Sequence, residues 1–272
     1  ACDICPNKSG ALGFLRVEGV NEPWYKESMK ILLICPYFFE PHRWMISAYK
    51  TALYLSKKID VVVLTTGLPR YEKLNSKLTI YRMPDIFFPD PINYSVIPGL
   101  FFYLLRVMKI EKPTHFLVNK HMFFTTLSVI VLRLLGKTVV TATDSFPTID
   151  WFPRNRRLVP LMWIYSTFIG IPLLRLSNKV ILLHGNLLPI AKKLGLNAVV
   201  INNGVDLEAI DQAVPATDIP HPKGTLNIVY VGRLESVKGY DDLLAVAVKM
   251  CKKNPKIHFY FVGNSENKTE LI

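Results

Sequence analysis

The sequence contains little cysteine, and its cysteines follow no disulfide pattern. Four occur among 272 residues, at positions 2, 5, 35 and 251. This excludes a disulfide-stapled secreted scaffold and favours a reduced, cytosolic compartment. Cys35 and Cys251 fall in apolar segments and are predicted to be core thiols. Cys2 and Cys5 form half of a zinc or redox signature, but no second pair or clustered histidine follows, so no metal site is predicted.

Nucleic-acid-binding signatures are also missing, although the chain is strongly basic. Its formal net charge is +12 and its isoelectric point is about 9.5, which implies acidic partners. The sequence has no zinc-finger spacing, no ribonucleoprotein motif and no long basic run. We therefore expect a nucleotide or an anionic membrane surface as the acidic partner, and not nucleic acid.

One uncharged apolar stretch, residues 158–174, is a little short of the ~20 residues that a membrane-spanning helix needs. Arginines flank it on both sides: Arg156, Arg157 and Arg175. Two interpretations remain open, a helix buried beneath a sheet and an interfacial helix at the lipid headgroups. Residues 100–106 form a second, weaker patch of this kind. Together with the net charge, these patches suggest a peripheral protein at the cytoplasmic membrane face.

Residues 1–28 show no apolar signal-peptide core and no clear periodicity, so we interpret them as appended or poorly ordered. From residue 29 onward, apolar strands alternate with helices, which predicts an α/β fold with parallel sheets covered on both faces. The predicted strands are 30–35, 60–65, 78–82, 114–118, 138–142, 179–183 and 198–202, and the predicted helices are 43–57, 97–110, 121–135, 157–175 and 186–194. The predicted domains are 29–205 and 225–272, joined by a linker at 206–224.

The segment Val231-Gly-Arg-Leu-Glu-Ser-Val-Lys-Gly239 joins an apolar strand to a helix. Gly232 permits a sharp turn, Arg233 offers a planar fork for phosphate oxygens, and Lys238 offers a mobile charge. The start of the helix adds backbone N–H groups and the positive end of its dipole. This pattern is typical of a diphosphate-binding turn, although a solvated loop carrying two cations is an alternative.

This segment resembles the start of the donor-binding domain of group 1 (family 4) glycosyltransferases, in which Gly-Arg-Leu and Lys-Gly recur between a strand and a helix. Two neighbouring segments support the resemblance: residues 200–206 resemble the family's Asn-Gly-Val-Asp signature, and residues 257–263 resemble its next strand. The resemblance implies a GT-B fold, two facing Rossmann-like doubly wound domains, with the second incomplete here. It also implies a nucleoside diphosphate sugar as donor, with Gly232, Arg233, Lys238, Gly263, Asn203 and Gly204 on the donor side.

The resemblance places the acceptor in the first domain, at the loops after its first and fifth strands. His42 matches the family's opening, but Arg43 and Trp44 replace the usual Gly-Gly, so Arg43 would supply side-chain charge or would anchor the first helix. After the fifth strand, Thr143 replaces a frequent histidine and Asp144 remains. Asp144 is the candidate catalytic residue, binding sugar hydroxyls or a proton, with a turn cap as the alternative. His184 stands where the family often has serine.

The implied activity is transfer of a sugar to a glycan or lipid-linked acceptor, as in cell-surface polysaccharide biosynthesis, with retention of configuration. No cofactor or metal is expected, because fixed cations would stabilise the leaving diphosphate. The family's Glu-x7-Glu segment is absent from these residues, so the chain alone is expected to be inactive. Two alternatives stay open: a non-catalytic GT-B scaffold or membrane-surface module, and a GT-B sugar-nucleotide epimerase.

Overall fold

A computed structural model describes residues 29–38, 46–88, 94–153, 155–205, 207–214, 224–232, 234 and 238–263. The chain divides into two compact units between Gly204 and Val205. Each unit is built around parallel strands.

The first unit contains an eight-stranded sheet in the order β10-β9-β8-β7-β1-β2-β4-β3. All neighbouring strands run parallel except the β3–β4 pair, which is antiparallel. The order reverses on either side of β1, which is the signature of a doubly wound sheet. Its strands are β1 (Lys30–Ile34), β2 (Asp60–Thr66), β3 (Tyr71–Asn75), β4 (Leu78–Met83), β7 (His115–Asn119), β8 (Val139–Thr143), β9 (Lys179–Leu182) and β10 (Ala198–Val200).

Helices cover both faces of this sheet because its strands are apolar on both sides. Along β1, Leu33 packs with α1 (Ile46–Ser56), whereas Leu32 and Ile34 pack with α2 (Leu100–Glu111) and α3 (Ser128–Leu134). A continuous helix, Arg156–Leu176, also lies on the second face. It consists of a 3₁₀ turn (Arg156–Leu158), α4 (Val159–Tyr165), a π-helical turn (Ser166–Gly170) and α5 (Ile171–Leu176); α6 (Leu188–Lys193) then precedes β10.

The seven parallel strands and five helices predicted for this unit are all present, with ends displaced by a few residues. The sequence prediction missed β3 and a small antiparallel hairpin, β5 (Ile86–Phe88) and β6 (Tyr94–Val96). β3 is exposed and polar along most of its length, so it lacks the apolar pattern that marks a buried strand. The hairpin strands have three residues each, too few to show a period.

The second unit has the predicted β-α-β arrangement, in which β11 (Leu226–Val231) and β12 (Ile257–Val262) pair in parallel. The connecting helix, α8 (Tyr240–Lys253), packs against β12. A short helix, α7 (Leu207–Asp211), lies within the range predicted as linker.

The two core thiols predicted from the sequence have different environments. Cys35 is fully buried at the end of β1, as predicted. Cys251 is exposed, so its assignment to a core is wrong. The described part of the second unit offers α8 only two strands, and of the apolar residues along α8 only Ala247 is buried. Cys251 instead donates a weak hydrogen bond to the carbonyl of Ile257 at 3.3 Å.

Candidate functional site

The carboxyl edge of the large sheet brings together Lys120 and Asp144. β7 and β8 are in parallel register with Asn119 opposite Ala142, so the residues that follow the two strands emerge side by side. Lys120 Nζ donates to Asp144 Oδ2 at 2.6 Å, and the backbone N–H of Lys120 donates to the carbonyl of Ala142 at 3.1 Å. The predicted Asp144 is therefore paired with a cation that the sequence prediction did not include.

This ion pair remains accessible to a ligand. The side chains of Lys120 and Asp144 are 27% and 41% exposed, respectively. Pairs this exposed contribute little to stability, because water screens the attraction and the side chains lose freedom. Its position at the ligand-binding edge of a doubly wound sheet favours a role in ligand binding over one in folding.

The backbone near this pair adopts conformations that L-residues seldom take. Among the described non-glycine residues with positive φ, Lys120 (69°), Met122 (77°) and Thr148 (66°) lie in the loops after β7 and β8. Each such residue costs on the order of 1–3 kcal/mol and persists where its surroundings hold it. Here the hydroxyl of Thr126 donates to the carbonyl of Lys120 at 3.1 Å, which helps to hold the turn. Strain of this kind is common at functional sites.

His121 follows Lys120 and is buried, with 5% of its surface exposed. Burial lowers the pKa of His121 to about 4, against the opposing effects of the Gly170 and Ser145 backbones and the Asp144 charge. Within the part of the chain that the structure describes, neither ring nitrogen makes a hydrogen bond of normal geometry. The π-helical turn lies against one edge of the ring, where a Cβ added to Gly170 would be 2.6 Å from His121 Nε2.

The predicted His184 lies beside Asp144. It precedes the 3₁₀ turn after β9 and is exposed, and its Nε2 donates to the backbone carbonyl of Asp144 at 3.0 Å. Thr143, which stands in place of the family's histidine, is buried and donates its hydroxyl proton to the carbonyl of Ser145 at 2.7 Å. It therefore fixes the turn that carries Asp144. The other predicted acceptor residues, His42 and Arg43, lie outside the described residues.

In the second unit, Gly232 and Gly263 meet where β11 and β12 end. Val231 lies opposite Val262, and the N–H of Gly232 donates to the carbonyl of Val262 at 3.0 Å. A Cβ on Gly263 would lie only 1.8 Å from the carbonyl oxygen of Gly232, so no side chain fits there. The two glycines thus make a flat backbone edge that a ligand can approach closely.

The start of α8 is capped by Gly239, which has φ of 71° and accepts the hydrogen bond from Leu243 N–H at 3.1 Å. The predicted phosphate-binding Lys238 is exposed just before this cap. Asp241 and Asp242 occupy the first turn and are exposed. Their carboxylates complement the positive end of the helix dipole. Among the described residues at this turn, Lys238 supplies the positive charge for an anion, and the other predicted cation, Arg233, lies outside the described residues.

Asn203 and Gly204 follow β10 and are exposed. Of the predicted site residues, the structure therefore places His184 in contact with Asp144 in the first unit. It places Gly232 in contact with Gly263 in the second unit. It adds Lys120 and His121, which sequence reasoning missed. Their signal was topological: they follow a predicted strand that pairs with the strand preceding Asp144. Among the described residues, no group of three or more histidine, cysteine, aspartate or glutamate side chains is arranged to hold a metal ion.

Comparison with known proteins finds a family model that matches the C-terminal part of the chain. Residues 216–272 match the family described as glycosyl transferases group 1. This range contains β11, α8 and β12 with the paired glycines. Among curated proteins, none matches the chain. The resemblance to group 1 glycosyltransferases is therefore confirmed by this second unit.

Solved structures of glycosyltransferases share the fold. Sucrose-phosphate synthase from Thermosynechococcus elongatus has a TM-score of 0.57 at 14% identity, covering 88% of this chain and 63% of its own. A structure described as trehalose-6-phosphate from E. coli bound with UDP-2-fluoro glucose has a TM-score of 0.55 at 15% identity, covering 89% and 66%. A glycosyltransferase from Rickettsia africae has a TM-score of 0.52 at 11% identity, covering 87% and 69%. The GT-B fold is thereby confirmed. The chain spans less than two thirds of the first two structures.

The contact between Gly263 and Gly232 predicts a large effect of a single methyl group. We expect Gly263→Ala to destabilise the second unit by roughly 1–3 kcal/mol, because backbone atoms must move to admit the Cβ. Gly232→Ala is the matched control, since its Cβ would meet only the end of the Tyr230 side chain, at 3.1 Å. Denaturant unfolding of both variants measures the difference, and equal losses would contradict the proposed close approach.

The buried His121 predicts a loss of stability in mild acid. Between pH 6.5 and 4, the unfolded chain binds a proton at this histidine and the folded chain does not, so lowering the pH favours unfolding. We expect this residue to remove up to about 3 kcal/mol over that range. In His121→Gln the free energy of unfolding should depend less on pH than in the wild type, and His115→Gln, at an exposed histidine, is the matched control. A parallel pH profile for wild type and His121→Gln would disprove the assignment.

Proposed function

We propose that this sequence is that of an enzyme. The enzyme transfers a sugar from a nucleoside diphosphate sugar to a glycan or lipid-linked acceptor, with retention of configuration. The observation that carries the proposal is the family match over residues 216–272, which coincides with the glycine edge and the helix start expected to bind the donor. The shared fold of known glycosyltransferases supports it.

On the donor side, the paired glycines would let the diphosphate approach the backbone, while Lys238 and Arg233 would neutralise it. As the bond between sugar and diphosphate breaks, negative charge grows on the leaving phosphate. Fixed cations would stabilise this charge without a proton transfer and without a metal ion.

On the acceptor side, Asp144 would accept hydrogen bonds from sugar hydroxyl groups. Lys120 donates to only one of its two carboxylate oxygens, Oδ2, and the carboxylate is part-exposed. Lys120 would therefore act as a positioning residue that fixes Asp144 in one orientation. His184, whose ring is tied to the Asp144 backbone, would line the same edge.

The donor class is supported by one structural neighbour, which has UDP-2-fluoro glucose bound. Another, a trehalose-6-phosphate synthase studied for glycosyl transfer with retention, has a TM-score of 0.54 at 15% identity. We extend only the class of donor, a nucleoside diphosphate sugar, and the retained configuration to this protein. The sparse cysteines favour a cytoplasmic location for the reaction.

The decisive experiment incubates the protein with nucleoside diphosphate sugars, with and without lipid-linked and free glycan acceptors, and identifies the products. A glycosylated acceptor together with free nucleoside diphosphate supports the proposal. A changed sugar nucleotide formed without acceptor would identify an epimerase. We expect the protein to bind a nucleoside diphosphate sugar, and absence of donor binding would overturn the proposal.

Lys238 provides a direct test of the donor site. We expect Lys238→Ala to weaken the binding of a nucleoside diphosphate roughly ten- to hundredfold, because a charge-assisted hydrogen bond to phosphate is lost. Lys249→Ala is the control, since this lysine is exposed on the same helix away from its start. Calorimetric titration with the nucleoside diphosphate measures both variants. Similar affinities for the two would remove Lys238 from the site.

The Lys120–Asp144 pair is tested by a double-mutant cycle on the active protein. We expect Lys120→Met and Asp144→Asn each to lower kcat/KM for the acceptor roughly tenfold or more. The double variant should lose little beyond either single change, because the two residues act as one unit. Lys112→Met is a suitable control, since Lys112 is exposed and also has positive φ. Fully additive losses would show that Lys120 does not act through Asp144.

A further inference from the structure

One layer of helices presents an apolar outer surface to solvent. α2, α3 and the Arg156–Leu176 helix cover the same face of the large sheet, and α3 contacts both of the others. Their inner residues form the core, yet many outer residues are apolar as well. We call this surface the helical face; its exposed apolar residues are Phe101, Phe102, Leu105, Ile130, Leu134, Leu161, Trp163, Ile164 and Phe168.

The degree of exposure on this face is high for side chains of this size. Phe102, Leu161 and Phe168 are 64%, 65% and 68% exposed. Trp163 is 53% exposed and packs edge-to-face against Phe168, with ring centroids 6.3 Å apart. Scattered exposed apolar residues are ordinary, but a set shared by three adjacent helices is typical of a surface that binds another protein or a membrane.

The charge on these helices has one sign. Across residues 100–111, 124–134 and 156–176, the only acidic residue is Glu111. Its carboxylate is already engaged, by Lys30 Nζ at 3.1 Å and by the hydroxyl of Tyr81 at 2.6 Å. The basic residues of the same segments that are exposed are Arg106, Lys109, Arg156, Arg157 and Arg175. The surface therefore complements a partner that is both apolar and anionic.

The Arg156–Leu176 helix is long and apolar enough to cross a membrane, by length and composition alone. Its inner side, however, is part of the folded unit. Leu173 and Leu174 are buried, Ser166 Oγ donates to the carbonyl of Pro147 at 3.0 Å, and Gly170 lies against His121. From Ser166 onward the helix therefore keeps one side on the protein and offers only the other to lipid, whereas its preceding part, α4, has no buried residue.

We propose that the helical face binds the surface of an anionic lipid bilayer, with the Arg156–Leu176 helix lying in the plane of the headgroups. The aromatic and aliphatic side chains enter the boundary of the acyl chains, where tryptophan is favoured. Arg156, Arg157 and the basic residues of α2 contact the lipid phosphates. A protein partner fits less well, because the cores of protein interfaces are depleted in charged residues.

This arrangement brings lipid close to the acceptor edge. Gly170 of the same helix contacts His121, which follows Lys120 in the chain. A bilayer on the outer side of the helix therefore lies about one helix diameter, roughly 10 Å, from this loop. The proposed membrane binding depends only on the helical face, so it can be tested independently of sugar transfer.

The test is flotation of the full chain with vesicles of pure phosphatidylcholine and of phosphatidylcholine mixed with phosphatidylglycerol. We expect binding to the mixed vesicles, reduced by high salt, and weak binding to the neutral ones. Trp163→Ser with Phe168→Ser should lower the partition coefficient at least tenfold. Arg156→Gln with Arg157→Gln should lower it roughly fivefold for each arginine, and only on anionic vesicles.

The matched control replaces an exposed aromatic and a basic residue on the opposite face of the sheet. Tyr54→Ser with Lys57→Gln changes α1 and the turn after it, and it should leave vesicle binding unchanged. Three outcomes would overturn the proposal: no binding to anionic vesicles, equal losses in the control, or self-association through the helical face without lipid binding. Analytical ultracentrifugation of the wild type and of the Trp163→Ser, Phe168→Ser variant detects such self-association.

Discussion

Parallel strand register is the constraint on which the candidate sites depend. Residues that follow neighbouring parallel strands must emerge at the same edge, whatever their distance along the chain. In the large sheet, Asn119 opposite Ala142 places Lys120 beside Asp144. In the small sheet, Val231 opposite Val262 places Gly232 against Gly263. One rule of pairing thus produces both a charged edge and a bare backbone edge.

In the proposed reaction, the two edges would serve different parts of sugar transfer. A part-exposed ion pair can orient hydroxyl groups if its side chains are fixed in place. Here Lys120 has a positive φ, and the hydrogen bond from the Thr126 hydroxyl to its carbonyl helps to fix the loop. A glycine edge with Lys238 nearby in the chain would suit a diphosphate, because backbone and cation could approach the phosphates together. The helical face adds a third element, since the helix that carries it also contacts the loop behind the ion pair.

Much of the fold could be predicted from the sequence, because buried parallel strands are continuous apolar runs and helices alternate with them. The seven parallel strands of the first unit were predicted, whereas the exposed β3 and the three-residue strands of the hairpin carried no such signal. Asp144 was recognised from its place after a strand. Lys120 and His121 were missed because their importance arises from a neighbour across the sheet. The prediction for Cys251 was wrong because an apolar stripe shows which face of a helix is apolar, but not how much of that face other elements cover.

The sequence by itself determined the order of elements, the strand-to-helix turn at residues 231–239 and the apolar character of residues 158–174, because each is written in local composition. It left open whether that apolar segment is buried. Tertiary structure decided that its inner side packs on the sheet while Leu161, Trp163 and Phe168 remain exposed. It also decided that Asp144 has a cationic partner. Both outcomes depend on contacts between segments far apart in the chain, which local composition does not specify.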